Sequence, residues 1–238
     1  MGKAAAMSTG DGGTGQKGGP GEKESGGRGP AEAGSAEQMP TRDLAGLTAR
    51  DLITTGVFTA VFLVFMIVGS AFFAPNPVLT FWMPAASALL TGPVYLLLIA
   101  KVPKHGPLAI LGVVIGAIMF ATGMYWGWAV SSALLGVVAD VIAGLGRFRV
   151  KPLNLTAFVV YSLAPMGSYI MLWVDPDAYT AYLTGRGTER AYMDTMLDTA
   201  VDWMLPAMIL ATVVCALVSG LAGMRLLRRQ FERAGVTA

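Results

Sequence analysis

The chain has 238 residues, of which 54% are hydrophobic and only 13% are charged. A soluble domain carries about 25% charged residues, so this composition excludes a soluble protein and predicts an integral membrane protein. The single cysteine, Cys215, excludes a disulfide framework within the chain. The single histidine, His105, disfavours a zinc cluster or a Ser-His-Asp triad, because either would depend on that one imidazole.

The first 46 residues differ in composition from the rest of the chain. They are rich in Gly, Ala, Glu, Lys and Pro and contain no aromatic residue. Such a segment buries too little apolar surface to offset its ordering entropy, so residues 1–46 are predicted to be a disordered cytoplasmic tail. It also lacks the apolar core of a signal peptide. The membrane domain is predicted to span residues 47–231, followed by a short C-terminal tail, 232–238.

Residues 52–74 form an uncharged apolar segment that begins directly after Arg50 and Asp51. About 20 apolar residues suffice for a helix to cross the hydrocarbon, so this segment is predicted to be the first transmembrane helix. Gly56 and Ala60 lie four residues apart and therefore on one helix face, where small side chains allow another helix to approach closely. Two interpretations stay open: a contact within this protein's own bundle, or a docking face for a separate membrane protein.

Five further apolar runs follow, and each is long enough to form a membrane helix. They cover residues 81–100, 107–122, 129–145, 153–174 and 200–227. The predicted fold is therefore all-α, an integral membrane bundle of six transmembrane helices.

The basic residues predict the orientation of this bundle. If the N terminus is inside, all but Arg186 and Arg190 of the 17 lysines and arginines lie in cytoplasmic segments. The positive-inside rule then places both termini in the cytoplasm of a multi-pass protein of the plasma membrane.

Aromatic residues concentrate at the predicted external side. One interpretation is an aromatic belt at the membrane interface, which is common. The other interpretation is a binding site. Consecutive residues in the turn at 125–128 point in different directions, so some of them should face the bundle. There they could stack on a flat ligand. The candidate substrate-binding residues are Asn76, Trp82, Tyr125, Trp126, Trp128, Tyr169, Trp173, Asp202 and Trp203.

Two carboxylates fall in or near apolar helices. Asp202 lies beside Trp203 and within a turn of Pro206, where a carboxylate is a candidate for contacting a polar or cationic group of a substrate. Asp140 is the one acid within an apolar run, and a structural ion pair with Arg147 or Lys151 is favoured over a substrate role.

The sequence contains no phosphate-binding Gly-x-x-x-x-Gly-Lys-Ser/Thr motif, so the chain cannot hydrolyse ATP through a P-loop. Residues 51–60, DLITTGVFTA, with six predicted spans and both termini inside, resemble the substrate-binding S components of energy-coupling factor (ECF) transporters. The resemblance is greatest to the MptD-type (Trep_Strep) group, and it covers residues 47–231.

The resemblance implies a non-enzymatic transport subunit with no cofactor. S components bind a vitamin or similar micronutrient near the external face and dock on a membrane T component that couples them to two ATPase subunits. In that family, small residues spaced by four in the first helix form the docking face, which here means Gly56 and Ala60. Nucleic acid is not an expected partner. The alternative is a stand-alone multi-pass membrane protein, either an accessory subunit of another assembly or a solute channel, and a membrane hydrolase comes third.

Overall fold

The computed structural model describes residues 46–233, with side chains described to residue 226. The predicted tail before residue 46 and most of the predicted C-terminal tail lie outside these described residues. The part described consists of helices joined by turns. The helices are α1 (Ala49–Ser70), α2 (Met83–Lys101), α3 (Pro107–Ala121), α4 (Trp126–Leu145), α5 (Lys151–Tyr161), α6 (Met166–Tyr169), α7 (Met171–Val174), α8 (Pro176–Gly185), α9 (Arg190–Thr199) and α10 (Met204–Arg233).

The structure confirms an all-helical membrane protein. Five helical stretches within the described residues are long and apolar enough to cross a membrane: α1, α2 with its preceding 3₁₀ turn, α4, the run from α5 to α7, and α10. The remaining predicted span corresponds to α3, an apolar helix of 15 residues. At 1.5 Å per residue, α3 is about 22 Å long, which is shorter than the hydrocarbon core.

The first helix begins earlier than its apolar run because its N terminus is capped. The backbone N–H of Asp51 donates to Thr48 Oγ1, and the backbone N–H of Thr48 donates in return to Asp51 Oδ2. This reciprocal pair is a capping box, which satisfies two donors that a helix start leaves free. Asp51 also pairs with Lys104 Nζ at 2.8 Å, so the start of α1 is held against the turn between α2 and α3.

The fifth and sixth predicted helices differ from the structure in detail. The run at 153–174 is interrupted after Tyr161, and the chain turns through residues 162–165 before the short helices α6 and α7. Pro165 lies at this break, where its missing N–H and fixed φ favour a helix start over a helix interior. The segment between α7 and α10 contains two further helices, α8 and α9, which the apolar runs did not predict.

Glycines allow α3 and α4 to pack backbone against backbone. A Cβ added at Gly136 would lie 2.9 Å from the Cα of Gly112 and 3.0 Å from the carbonyl oxygen of Leu108. Gly116 lies in the same way against Ala129 one turn further along. Close backbone contact of this kind drives helix association in lipid, where the hydrophobic effect between helices is absent.

We expect Gly136→Ala to lower the melting temperature of the purified protein, because the new methyl group overlaps the α3 backbone. Overpacking of this kind costs about 1–3 kcal/mol, which corresponds to about 2–4 °C per kcal/mol for a chain of this size. The matched control is Gly56→Ala, since a Cβ at Gly56 meets no atom within 4 Å. Equal melting temperatures for the two variants would contradict the assignment of the α3–α4 contact.

Candidate functional site

A small cavity lies at one end of the bundle, between α1, α2, α3, α4 and the turn after α5. It is formed where the C-terminal half of α1 meets the N-terminal half of α2, and we call this end of the bundle the cavity end. Its volume is about 30 Å³, enough for about two water molecules. Among the described residues, the twelve that line it are all uncharged: Phe62, Met66, Pro84, Ser87, Ala88, Thr91, Ile115, Trp128, Tyr161, Ser162, Ala164 and Pro165.

Of the nine predicted binding residues, Trp128 is the one that lines this cavity. It is 4% exposed and belongs to the first turn of α4. The turn before α4 brings Tyr125 into the protein interior as well, whereas Trp126 is 49% exposed and faces outward. This division agrees with the expectation that consecutive residues of the 125–128 turn point in different directions.

Tyr169 and Trp173 form a second group with the 3₁₀ turn before α2. The hydroxyl of Tyr169 donates to the carbonyl oxygen of Thr80 at 2.9 Å and lies 3.1 Å from Thr80 Oγ1. The ring of Phe81 packs against both, with centroids 6.1 Å from Tyr169 and 6.4 Å from Trp173. Trp82, the next residue in this turn, is half-buried. The hydroxyl of Tyr169 is thus occupied by protein groups.

Tyr125 and residues of α8 form an aromatic cluster. This cluster was not predicted from the sequence. The ring centroid of Tyr125 is 5.2 Å from that of Tyr179 and 5.1 Å from that of Tyr182. Burial raises the pKa of the Tyr179 phenol to about 12, so its hydroxyl keeps its proton at neutral pH. The guanidinium of Arg186 lies 5.2 Å from the Tyr182 ring centroid, within range of a cation–π interaction.

Three predicted binding residues lie at the surface, away from the cavity. The side chain of Asn76 accepts hydrogen bonds from the backbone N–H groups of Val78 and Leu79, which makes it part of a local turn. Asp202 is exposed in the turn before α10. Trp203 is 61% exposed. An exposed aromatic at a helix start is typical of the membrane interface.

Asp140 is buried, at 6% exposure, and its partners differ from those predicted. Its carboxylate accepts hydrogen bonds from the backbone N–H groups of Gly106 and Leu108, at 2.9 and 3.3 Å, and from His105 Nδ1 at 3.0 Å. The predicted partners Arg147 and Lys151 are exposed. The prediction failed because it considered charges on the same helix hairpin, whereas α4 packs against the start of α3, whose free N–H groups attract an anion.

The proposed docking pair lies on the outward face of α1. Gly56 and Ala60 are exposed, whereas the residues that α1 buries are Thr55, Thr59, Phe62, Met66 and Gly69. A Cβ added at Gly56 would meet no atom within 4 Å. Within the described residues, Gly56 thus has no close neighbour from another helix of this bundle.

Several cavity residues were missed from the sequence, above all the hydroxyl side chains of Ser87, Thr91, Tyr161 and Ser162. They belong to apolar runs, where a lone Ser or Thr commonly bonds to its own helix backbone and carries no distinctive signal. A buried tyrosine within a span is a stronger signal, because its hydroxyl needs a partner.

These observations define a multi-pass integral membrane protein with a small, uncharged cavity at one end. Residues 49–233 match the family described as "hypothetical bacterial integral membrane protein (Trep_Strep)", and the chain belongs to that family. No curated protein and no solved structure matches the chain.

We expect Asp140→Ala to destabilise the protein, since it leaves the N–H groups of Gly106 and Leu108 without their acceptor. An unpaired buried donor costs about 1–3 kcal/mol, to be measured as a lower melting temperature of the purified protein. Asp194→Ala is the matched control, because Asp194 forms an exposed pair with Arg190 and such pairs contribute about 0–1 kcal/mol. A larger loss for Asp194→Ala than for Asp140→Ala would contradict this role.

Proposed function

We propose that the protein is the substrate-binding S component of an ECF-type importer for a vitamin-like micronutrient. In this role it binds the solute within the membrane domain, a T component docks against it, and two partner ATPase subunits supply the energy. The observation that carries the proposal is the separation of two features on opposite faces of α1. Phe62 and Met66 line the cavity on the inward face, whereas Gly56 and Ala60 lie on the outward face.

The proposal includes six membrane crossings, with α3 as the short third span and both termini in the cytoplasm. The basic side chains support it: Lys101 and Lys104 lie in the α2–α3 turn, and Arg147, Arg149 and Lys151 lie in the α4–α5 turn, both opposite the cavity end. The positive-inside rule assigns such turns to the cytoplasm. The cavity end then faces the outside, from which an imported solute arrives.

We test this orientation by cysteine labelling in whole cells, after replacing the one native cysteine, Cys215, with alanine. Gly185→Cys, at the end of α8, should react with an impermeant thiol reagent added outside. Val150→Cys, in the α4–α5 turn, should react after the cells are made permeable and not before. Both positions are exposed, so accessibility within the protein is matched. Labelling of position 150 in intact cells would overturn the six-span topology.

The cavity is far smaller than a ligand site, since pockets for small molecules occupy about 300–1,000 Å³. Binding requires a wall of the cavity to move. The turn at 162–165 is the best placed, because it lines the cavity and interrupts the hydrogen-bond ladder between α5 and α6.

The outward face of α1 supports the docking step. Its small residues Gly56 and Ala60 leave room for the backbone of a partner helix, as small residues do at membrane helix interfaces. The same face carries the large exposed side chains of Ile53, Val57 and Val64, which would flank an incoming helix.

The decisive experiment is co-purification with tagged T and ATPase subunits. Gly56→Leu with Ala60→Leu should lower recovery of the complex about tenfold, equivalent to about 1.4 kcal/mol of binding free energy, because the leucines keep the partner helix away. The control is Ala117→Leu with Ala121→Leu, a pair with the same spacing that is exposed on α3.

The melting temperature of each isolated variant completes this test. Both double variants should melt as the parent does, since all four positions are exposed. Unfolding of the α1 variant alone would contradict docking and support the bundle-packing interpretation. If the parent protein fails to assemble with T and ATPase subunits, the stand-alone alternative replaces the proposal.

A further inference from the structure

Three of the hydroxyl groups that line the cavity already donate their single proton to a backbone carbonyl oxygen. Thr91 Oγ1 donates to the carbonyl oxygen of Ser87 at 2.9 Å, and Ser162 Oγ donates to that of Phe158 at 2.8 Å. Ser87 Oγ donates in the same way to Met83 at 2.9 Å. A hydroxyl has one proton and two acceptor lone pairs, so these side chains offer the cavity acceptors only.

The cavity lining also carries no charge among the described residues. Transfer of an ionised group into an apolar interior without a partner is strongly unfavourable, whichever its sign. The buried carboxylate of Asp140 cannot serve a cation, since it already accepts three hydrogen bonds at the opposite end of the bundle. A ligand with a formal charge would therefore have nothing to neutralise it.

Aromatic rings form much of the cavity wall. Phe62, Trp128 and Tyr161 line it, and the ring centroids of Phe62 and Tyr161 are 5.8 Å apart in an edge-to-face arrangement. Such rings contribute flat apolar surfaces that favour a planar molecule.

We propose that the transported solute is an uncharged, planar heteroaromatic compound whose N–H or O–H groups donate to Thr91 and Ser162. This inference rests on the proposed function, in that it names the substrate class of the same cavity. It excludes carboxylates, phosphates and quaternary cations as the recognised part of the solute.

Four probes that share one ring test the inference on the purified full-length chain. Nicotinamide is neutral and donates through its amide, N,N-dimethylnicotinamide is neutral without a donor, nicotinate is an anion, and 1-methylnicotinamide is a cation. By equilibrium dialysis, nicotinamide should bind about tenfold or more tightly than either ion. It should bind about fivefold more tightly than the dimethyl amide, because the latter leaves the acceptors unpaired.

Three variants locate the binding. Thr91→Val and Ser162→Ala should each weaken nicotinamide binding about fivefold and leave the affinity of N,N-dimethylnicotinamide unchanged. Thr212→Val is the matched control: Thr212 is equally buried and its hydroxyl donates to Met208 in the same helical way, but it lies on α10 and does not line the cavity. Its affinities should equal those of the parent. Because Ser162 is only half-buried, its variant keeps the test valid if Thr91→Val fails to fold.

The outcomes separate the inference from the proposed function. Nicotinate or 1-methylnicotinamide binding as tightly as nicotinamide, or no binding of nicotinamide at all, overturns the inference. So does an equal effect of Thr212→Val and Thr91→Val. Assembly with the T and ATPase subunits is measured on the same preparations, and its failure overturns the proposed function whatever the probes show.

Discussion

Close contact between helix backbones is the constraint on which the rest of this structure depends. In lipid, apolar side chains gain nothing by moving from acyl chains to another helix, so association relies on packing and on polar contacts. The α3–α4 interface meets this requirement with Gly112 against Gly136. The α2–α10 interface does so with Gly223 against Pro93, and Ser219 lies against Gly92. Because these helices touch, the larger side chains are displaced to other faces, where they enclose the cavity.

The two ends of the bundle are built by different forces. At the end opposite the cavity, two carboxylates fix the α2–α3 turn: Asp51 at the start of α1 pairs with Lys104, and Asp140 within α4 accepts a hydrogen bond from His105. At the cavity end, aromatic contacts and hydroxyl–carbonyl hydrogen bonds join the helices, such as the bond from Tyr169 to Thr80. The contacts to carboxylates therefore lie away from the space proposed for the solute, which is surrounded by uncharged groups.

The sequence predicted the helical fold, the membrane location and the first helix well, because long uncharged runs are a local signal. It also drew attention to Trp128, which lines the cavity, through the aromatic turn. It did not predict the partners of Asp140, the break at Pro165 or the presence of Thr91 and Ser162 in the cavity wall. Those features depend on how each helix is rotated about its axis, and hydropathy within an almost wholly apolar run does not encode that rotation. The local turn that Asn76 forms was not predicted either, because a turn-forming side chain and a ligand-binding one look alike in sequence.

In the six-span topology proposed above, the short α3 has a consequence for the lipid around it. At about 22 Å, it falls short of a hydrocarbon layer of about 30 Å, and a mismatch of this kind costs a fraction of a kcal/mol per Å. Because α3 is fixed to α4 through glycines, it cannot adjust its depth independently of the longer helix. Lipids with shorter acyl chains would relieve the elastic strain at this side of the protein. The thickness of the host bilayer is thus a determinant of how easily the α3 side of the bundle deforms.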